Sequence, residues 1–303
     1  MPPPREEAAT GVLYGLAAYG TWGFLGAYFR ALAAVPALEI LAHRVVWSAP
    51  LLVAWLVVRG RLGEMRSAFK SPGTWLPLVA TTVLIAANWL LFVIAVSTGR
   101  ALEASLGYYM NPLVNVLLGR LFLGERLRPL QKLAVALATV GVAYLTASHG
   151  KVPLLSLTLA FTFGFYGLLK KKIKTDGQVG LTIETSLLFP FALGYLLWLA
   201  ATGTLTFGHG PGWQTALLAL SGLVTALPLA WFAQAIRRLR LSTVGLIQYV
   251  SPTIQLLLAV WVFGEAFRPV HGVTFVFLWT GLALYSFDAF QASRPRAGAE
   301  APH

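Results

Sequence analysis

Three ionisable residues, Glu39, His43 and Arg44, sit within a single apolar run of this 303-residue chain. Charges inside such a run are costly unless they pair or face a water-filled cavity. Glu39 and His43 are four residues apart and share a helix face, which Trp47 continues. The stripe could hold a polar or zwitterionic substrate, or act as a protonatable couple, because histidine titrates near neutral pH. The plainer reading is that Glu39, close behind Pro36, caps a helix start and pairs with His43 or Arg44 only to hold the fold. Glu184 stands near the start of a later run much as Glu39 does. Helix-dipole stabilisation is a sufficient account of either carboxylate, and substrate contact is the sharper one.

A second constellation is neutral. Tyr108, Asn111 and Asn115 fall at i, i+3 and i+7, and Gln248, Ser251 and Gln255 repeat that spacing 140 residues later. Each set faces one direction on a helix. Interhelical hydrogen bonding, at about 0.6 kcal/mol per contact, is the bland role. Their matched placement beside Pro112 and Pro252, where a kink exposes carbonyls, favours the wall of a pocket near the membrane midplane. Trp22, Asn88, Trp89, Tyr166, Trp231 and Gln234 could add ring faces and hydrogen bonds to that pocket, or serve as anchors and packing.

Enzyme chemistry finds no foothold. There is no HExxH, Walker A or dinucleotide glycine motif, and Leu220-Ser221-Gly222 follows an alanine where a GxSG nucleophile would need glycine. Cysteine is absent, which removes thiol catalysis, disulfides and cysteine metal sites. No cofactor and no metal is expected.

The elements that must position these residues are membrane helices. Hydrophobic residues make up 57% of the chain and charged ones 11%, against roughly 45–50% and about 25% in soluble domains. The net charge of +12 sits in short basic clusters between apolar runs, without a nucleic-acid motif, so nucleic acid is not an expected partner. The tail 1–10 is polar. Apolar runs follow at 11–29, 37–58, 75–97, 104–122, 133–148, 152–169, 181–201, 213–235, 243–263 and 270–290. Most reach the ~20 residues that cross a bilayer, and the first is too long for a signal peptide. The expected fold is therefore an all-α integral membrane protein with ten transmembrane helices, its surroundings membrane lipid.

The chain is also duplicated. Ser105 to Pro129 returns as Gly245 to Pro269, with Tyr109 on Tyr249, Pro112 on Pro252 and Gly124-Glu125 on Gly264-Glu265. Ala86, Phe92, Ala95 and Arg100 match Ala226, Phe232, Ala235 and Arg240 at the same offset, and Thr21, Gly23, Phe24 and Gly26 match Thr162, Gly164, Phe165 and Gly167 at 141. Five spans per half is an odd number, so the halves 11–148 and 152–290 enter from opposite sides as two inverted five-helix repeats, the architecture of alternating-access transporters. The paired Gly-Glu endings read as helix punctuation. Gly11 and Gly15 form a GxxxG pair that suits close packing in a monomer or a weak dimer.

Trp22 to Ser48, Asn88 to Val96, Glu103 to Leu127 and Ile247 to Glu265 resemble the RarD branch of EamA-type transporters in the drug/metabolite transporter superfamily. The resemblance covers nearly the whole chain. It implies a multi-pass protein of the bacterial inner membrane with a central cavity and an association with chloramphenicol sensitivity or resistance, and it leaves the cargo open. The expected function is secondary transport, outward, of a small amino-acid-like metabolite or drug. Protons are a candidate coupling ion through Glu39 and His43. A flippase for a lipid-linked metabolite and a passive facilitator or channel are the alternatives.

Lys and Arg divide 18 to 4 between the two sides when the amino terminus is inside, with Arg44 left within a span. Positive loops stay cytoplasmic, so both termini, including the tail 291–303, are expected there. A phosphatase reporter fused after His303 should stay inactive and a fluorescent reporter should fold. The opposite result would reverse the topology.

Overall fold

Backbone amides and carbonyls that enter hydrocarbon find no water to bond, so a chain this apolar must satisfy them within helices. The computed structural model describes residues 5–70, 72–173, 175–239, 243–244 and 247–293, and no strand occurs among them. The helices are α1 (Arg5–Ala31), α2 (Ala37–Val58), α3 (Leu62–Lys70), α4 (Pro72–Ser97), α5 (Ala101–Leu123), α6 (Pro129–His149), α7 (Leu154–Lys172), α8 (Gly177–Ala201), α9 (Gly212–Arg238), α10 (Val250–Leu257) and α11 (Pro269–Ser293). Every one of the ten apolar runs contains a helix. Stretches of α2, α4, α6, α8, α9 and α11 are long and apolar enough to cross a bilayer. Glycine, tyrosine, asparagine or lysine dilutes the apolar sequence of α1, α5 and α7, and α10 is shorter. Helix α3 lies in a connection where none was expected. Arg61, just ahead of it, binds Glu64 at 2.7 Å and Asp176 at 3.2 Å, tying the connection to the start of α8.

The ninth run differs from its expected form. It is broken by a turn at Gln248 and Tyr249, and α10 continues into a π turn at Leu258–Val262. Pro252 has no N–H to offer the carbonyl of Gln248, four residues back, and its ring crowds that oxygen. The Gln248 carbonyl accepts from the Ser251 amide at 3.3 Å instead. Its counterpart Pro112 lies inside the unbroken helix α5.

Helix packing follows the duplication. Helix α1 packs on α9 and α10, as α7 packs on α4 and α5. Helix α2 meets α9 as α8 meets α4, and the remaining main pairs are α2 with α8, α5 with α10 and α6 with α11. Exchanging the helices of one half for those of the other leaves this set unchanged. Individual contacts obey the same exchange. A Cβ built on Gly23 would stand 2.7 Å from the Cβ of Ile254, and one on Gly164 would stand 2.8 Å from Cγ1 of Val114. Where α6 crosses α11, a Cβ on Gly141 would lie 3.3 Å from the Thr274 carbonyl and one on Gly281 would lie 2.9 Å from the Ala134 carbonyl. Tyr109 and Tyr249, equivalent positions of the two halves, stack on each other with centroids 6.5 Å apart and planes 13° apart. Small residues at such crossings let backbones approach, which drives association where lipid is as apolar as leucine.

The Gly-Glu endings match as well. Gly124 and Gly264 have φ of 66° and 69°, a left-handed conformation that closes each helix, and the following Glu amides reach back to the carbonyls of Gly119 and Ala259. Their carboxylates do more than punctuate. Glu265 accepts from the amides of Ala101 and Leu102, each at 2.8 Å, and so caps α5 from the other half of the chain. Glu125 binds Nζ of Lys171 at 2.5 Å.

Because the Ala134 carbonyl is backbone and cannot move aside, Gly281→Leu should pry α6 from α11. Overpacking of this kind costs about 1–3 kcal/mol, so the thermal midpoint in detergent should fall clearly, whereas Gly194→Leu, with open space around its Cα, should leave it nearly unchanged.

Candidate functional site

Arg44 of α2 is met by side chains from three other helices. It lies five residues beyond Glu39, on another face of the helix, and is 4% exposed. The ring of Phe29 from α1 stands 4.9 Å from its guanidinium carbon, and the ring of Trp89 from α4 stands 4.7 Å away. Its Nε donates to the Thr225 hydroxyl of α9 at 3.3 Å. Tyr28 and Tyr108 lie within electrostatic reach. Both hydroxyls are otherwise engaged, Tyr28 on the Leu217 carbonyl and Tyr108 on Oδ1 of Asn88 at 3.4 Å. No carboxylate lies within ion-pair distance of Arg44 among the described residues.

Glu39 faces a different set of partners. Its Oε1 accepts from the Thr206 amide at 2.9 Å and the Thr206 hydroxyl at 2.6 Å, both in the connection between α8 and α9. Its Oε2 is buried without a partner among the described residues. His43 stacks on Phe207 of the same connection, with centroids 4.8 Å apart. The indole N–H of Trp47 donates to Nδ1 of His43 at 3.2 Å. That bond uses the Nδ1 lone pair, so the single ring proton belongs on Nε2, which stands 3.9 Å from Glu39 Oε1. The stripe of Glu39, His43 and Trp47 thus shares one face, while Arg44 turns to another group of helices.

Glu184 belongs to a third cluster. Its carboxylate is fully buried and accepts from the Thr81 hydroxyl at 2.6 Å, from Lys170 at 2.9 Å and from the Tyr166 hydroxyl at 3.1 Å. Three helices, α4, α7 and α8, are joined there, and both carboxylate oxygens are engaged.

The neutral stripes divide in the same way between tied and untied groups. Asn88 donates to the Leu159 carbonyl and the Thr162 hydroxyl, each at 2.9 Å, and its Oδ1 accepts from Tyr108, so it joins α4 to α7 with both donors used. Asn111 is buried, and its Oδ1 has no partner among the described residues. Asn115 is exposed and borders Gly164 and Gly167 of α7. Gln255 donates to the Trp22 carbonyl and to Ser251, each at 3.3 Å, while its buried Oε1 is left without a partner. Gln248 is half-buried in the turn ahead of α10, off the helix that carries Ser251 and Gln255. Trp22 packs edge-on to Tyr19 and beside Phe232, and Trp231 is half-buried on α9. Gln234 accepts from Arg238 at 2.6 Å, away from these groups.

Sequence reasoning passed over Phe29, Thr206, Thr225 and Lys170. Phe29 and Thr225 are ordinary membrane-helix residues until the fold brings them to Arg44. Lys170 lies in a basic cluster read as orienting charge, yet its side chain turns inward to Glu184. Asp288, also passed over, is buried on α11 and meets Arg128 at 2.7 Å.

Comparison with known proteins assigns the family. Residues 9–147 match the EamA-like transporter family. An uncharacterized transporter of Vibrio cholerae is 46% identical over 292 residues, covering 96% of this chain and 97% of that protein. Protein RarD of Salmonella typhi is 45% identical over 291 residues, covering 96% and 99%. One solved crystal structure, 21% identical, covers 94% of this chain and 99% of its own with a TM-score of 0.58, which speaks for the fold alone. At 45% and 46% identity to these two relatives over nearly its whole length, with six helices fit to cross a bilayer, the chain is a multi-pass membrane protein and belongs to the EamA-like transporter family, in its RarD branch.

Proposed function

We propose that the protein is a secondary transporter that carries a small organic metabolite or drug outward across the bacterial inner membrane by alternating access. Ten crossings form two inverted repeats, 11–148 and 152–290, with both termini in the cytoplasm. The observation that carries this reading is the exchange symmetry of the helix packing. A bundle whose contacts survive swapping its halves supports two equivalent arrangements, one open to each side, with cargo held between the repeats. Asn111 and Gln255 sit on mating helices of opposite halves, each with a buried amide oxygen lacking a protein partner. Buried polar atoms are ordinarily bonded, so these two are fitted to donors on a cargo.

Alanine at Asn111 or at Gln255 should slow cargo counterflow in reconstituted vesicles by roughly threefold to tenfold, the worth of one hydrogen bond of about 0.5–1.5 kcal/mol. Expression and thermal midpoint should stay near those of the parent protein. Chloramphenicol, which the family resemblance brings forward, is the first cargo to try. Unchanged counterflow in both variants would place the cargo elsewhere.

The hydrogen bond from Trp47 to His43 favours a facilitator over proton coupling through that imidazole. A second proton on the ring would have to go to Nδ1, where the indole N–H already points. The cargo's own gradient then drives the cycle. Net uptake should be indifferent to an imposed pH difference in vesicles that show full exchange, and His43→Gln should not alter that indifference. Gradient-driven accumulation abolished by His43→Gln would restore the proton-coupled cycle.

A further inference from the structure

Arg44 is a permanent charge placed where five helices meet, since guanidinium keeps its proton at any physiological pH. A buried cation needs an anion or a full set of acceptors to offset its lost hydration. Among the described residues no carboxylate pairs with it, and its hydrogen bond is the single one to Thr225. Of the two carboxylates buried near these helices, Glu39 is turned to Thr206 and Glu184 to Lys170, Thr81 and Tyr166. The hydroxyls of Tyr28 and Tyr108 stay neutral donors, committed to Leu217 and Asn88.

What the protein does supply is orientation. The rings of Phe29 and Trp89 stand against the guanidinium. Thr225 takes Nε and passes its own hydrogen to the Ser221 carbonyl at 2.8 Å, which fixes its lone pair toward the arginine. The paired donors of Nη1 and Nη2 are left without a carboxylate. Two parallel N–H bonds at that spacing match a planar oxyanion, which a carboxylate fills and a phosphate ester fills less flatly.

We infer that Arg44 is the anion-binding residue of the cargo site, and that the cargo is an organic oxyanion, a carboxylate attached to an apolar or aromatic body that lies against the half-buried ring of Trp89. The inference rests on the transport reading for the word cargo, while the binding of an anion at Arg44 can be measured without transport.

The test uses the full-length protein in lipid nanodiscs and four probes of matched size: 3-phenylpropionate, its neutral amide, 3-phenylpropylamine and phenyl phosphate. Binding is read by quenching of tryptophan fluorescence, to which Trp89 contributes, and by the thermal midpoint. Phenylpropionate should bind at least tenfold more tightly than the amide, and the amine should not bind. Arg44→Lys keeps the charge and loses the planar fork, so it should weaken the anion about tenfold and leave the amide unchanged. Arg44→Gln should erase the preference altogether. If Arg44→Gln does not fold, the selectivity of the parent protein and the Arg44→Lys comparison decide the matter. Phenyl phosphate binding more tightly than phenylpropionate would keep the oxyanion and replace the carboxylate as its source. Equal binding of anion and amide by the parent protein, or no response to either anion, overturns the inference. In that case counterflow of neutral chloramphenicol would leave the transport reading standing. Anion binding that depends on Arg44, in vesicles that exchange no cargo of any charge, would instead sink transport and keep the site.

Discussion

A polar group carried into hydrocarbon must find its partner inside the protein: many serines and threonines of this bundle bond back to a carbonyl of their own helix, and a smaller set of polar side chains reaches another helix. Asn88 spans α4 and α7, Gln255 reaches α1, Glu184 gathers α4 and α7 around α8, and Ser105 of α5 donates to the Pro252 carbonyl at 2.9 Å. Apolar packing between helices is nearly indifferent to what surrounds it, because lipid tails offer the same contacts. These few directional bonds, with the glycine crossings that let backbones close to bonding distance, are what select one arrangement of helices over its competitors.

Against that rule the unpartnered atoms stand out. Glu184 has three donors arranged around it, and both of its oxygens are engaged. Arg44, also buried, has two rings beside its guanidinium and one hydroxyl on Nε. The contrast separates two uses of charge in one membrane domain. The Glu184 and Lys170 pair is complete in itself and holds α7 to α8, while Arg44 is held ready and incomplete. Glu39 falls between them: one oxygen is doubly bonded to Thr206 and the other is not bonded at all.

Much of this was legible in the amino-acid sequence. An offset of 140 residues pointed to paired helices, and the equivalent tyrosines Tyr109 and Tyr249 stack face to face. Hydropathy located a helix in each apolar run and missed the short, polar α3. Two things were hidden, for physical reasons. Pro112 and Pro252 have the same neighbours in sequence, yet one sits in a continuous helix and the other behind a turn, because the packing around each decides whether the lost bond is bridged or the chain breaks. Phe29, Thr225 and Thr206 carry no signal of their own, since phenylalanine and threonine are ordinary in membrane helices and connections, and only the crossing of distant segments gives them a partner. Lys170 misled for the opposite reason. A lysine at the end of a span usually snorkels toward water, and here a buried carboxylate draws it inward.

The grip of Glu265 has the widest consequence. It lies just past the π turn that ends one helix of the second half, and it holds the first two amides of α5 in the first half. One carboxylate thus joins the exit of one span to the entry of another, so neither end can shift without carrying the other along.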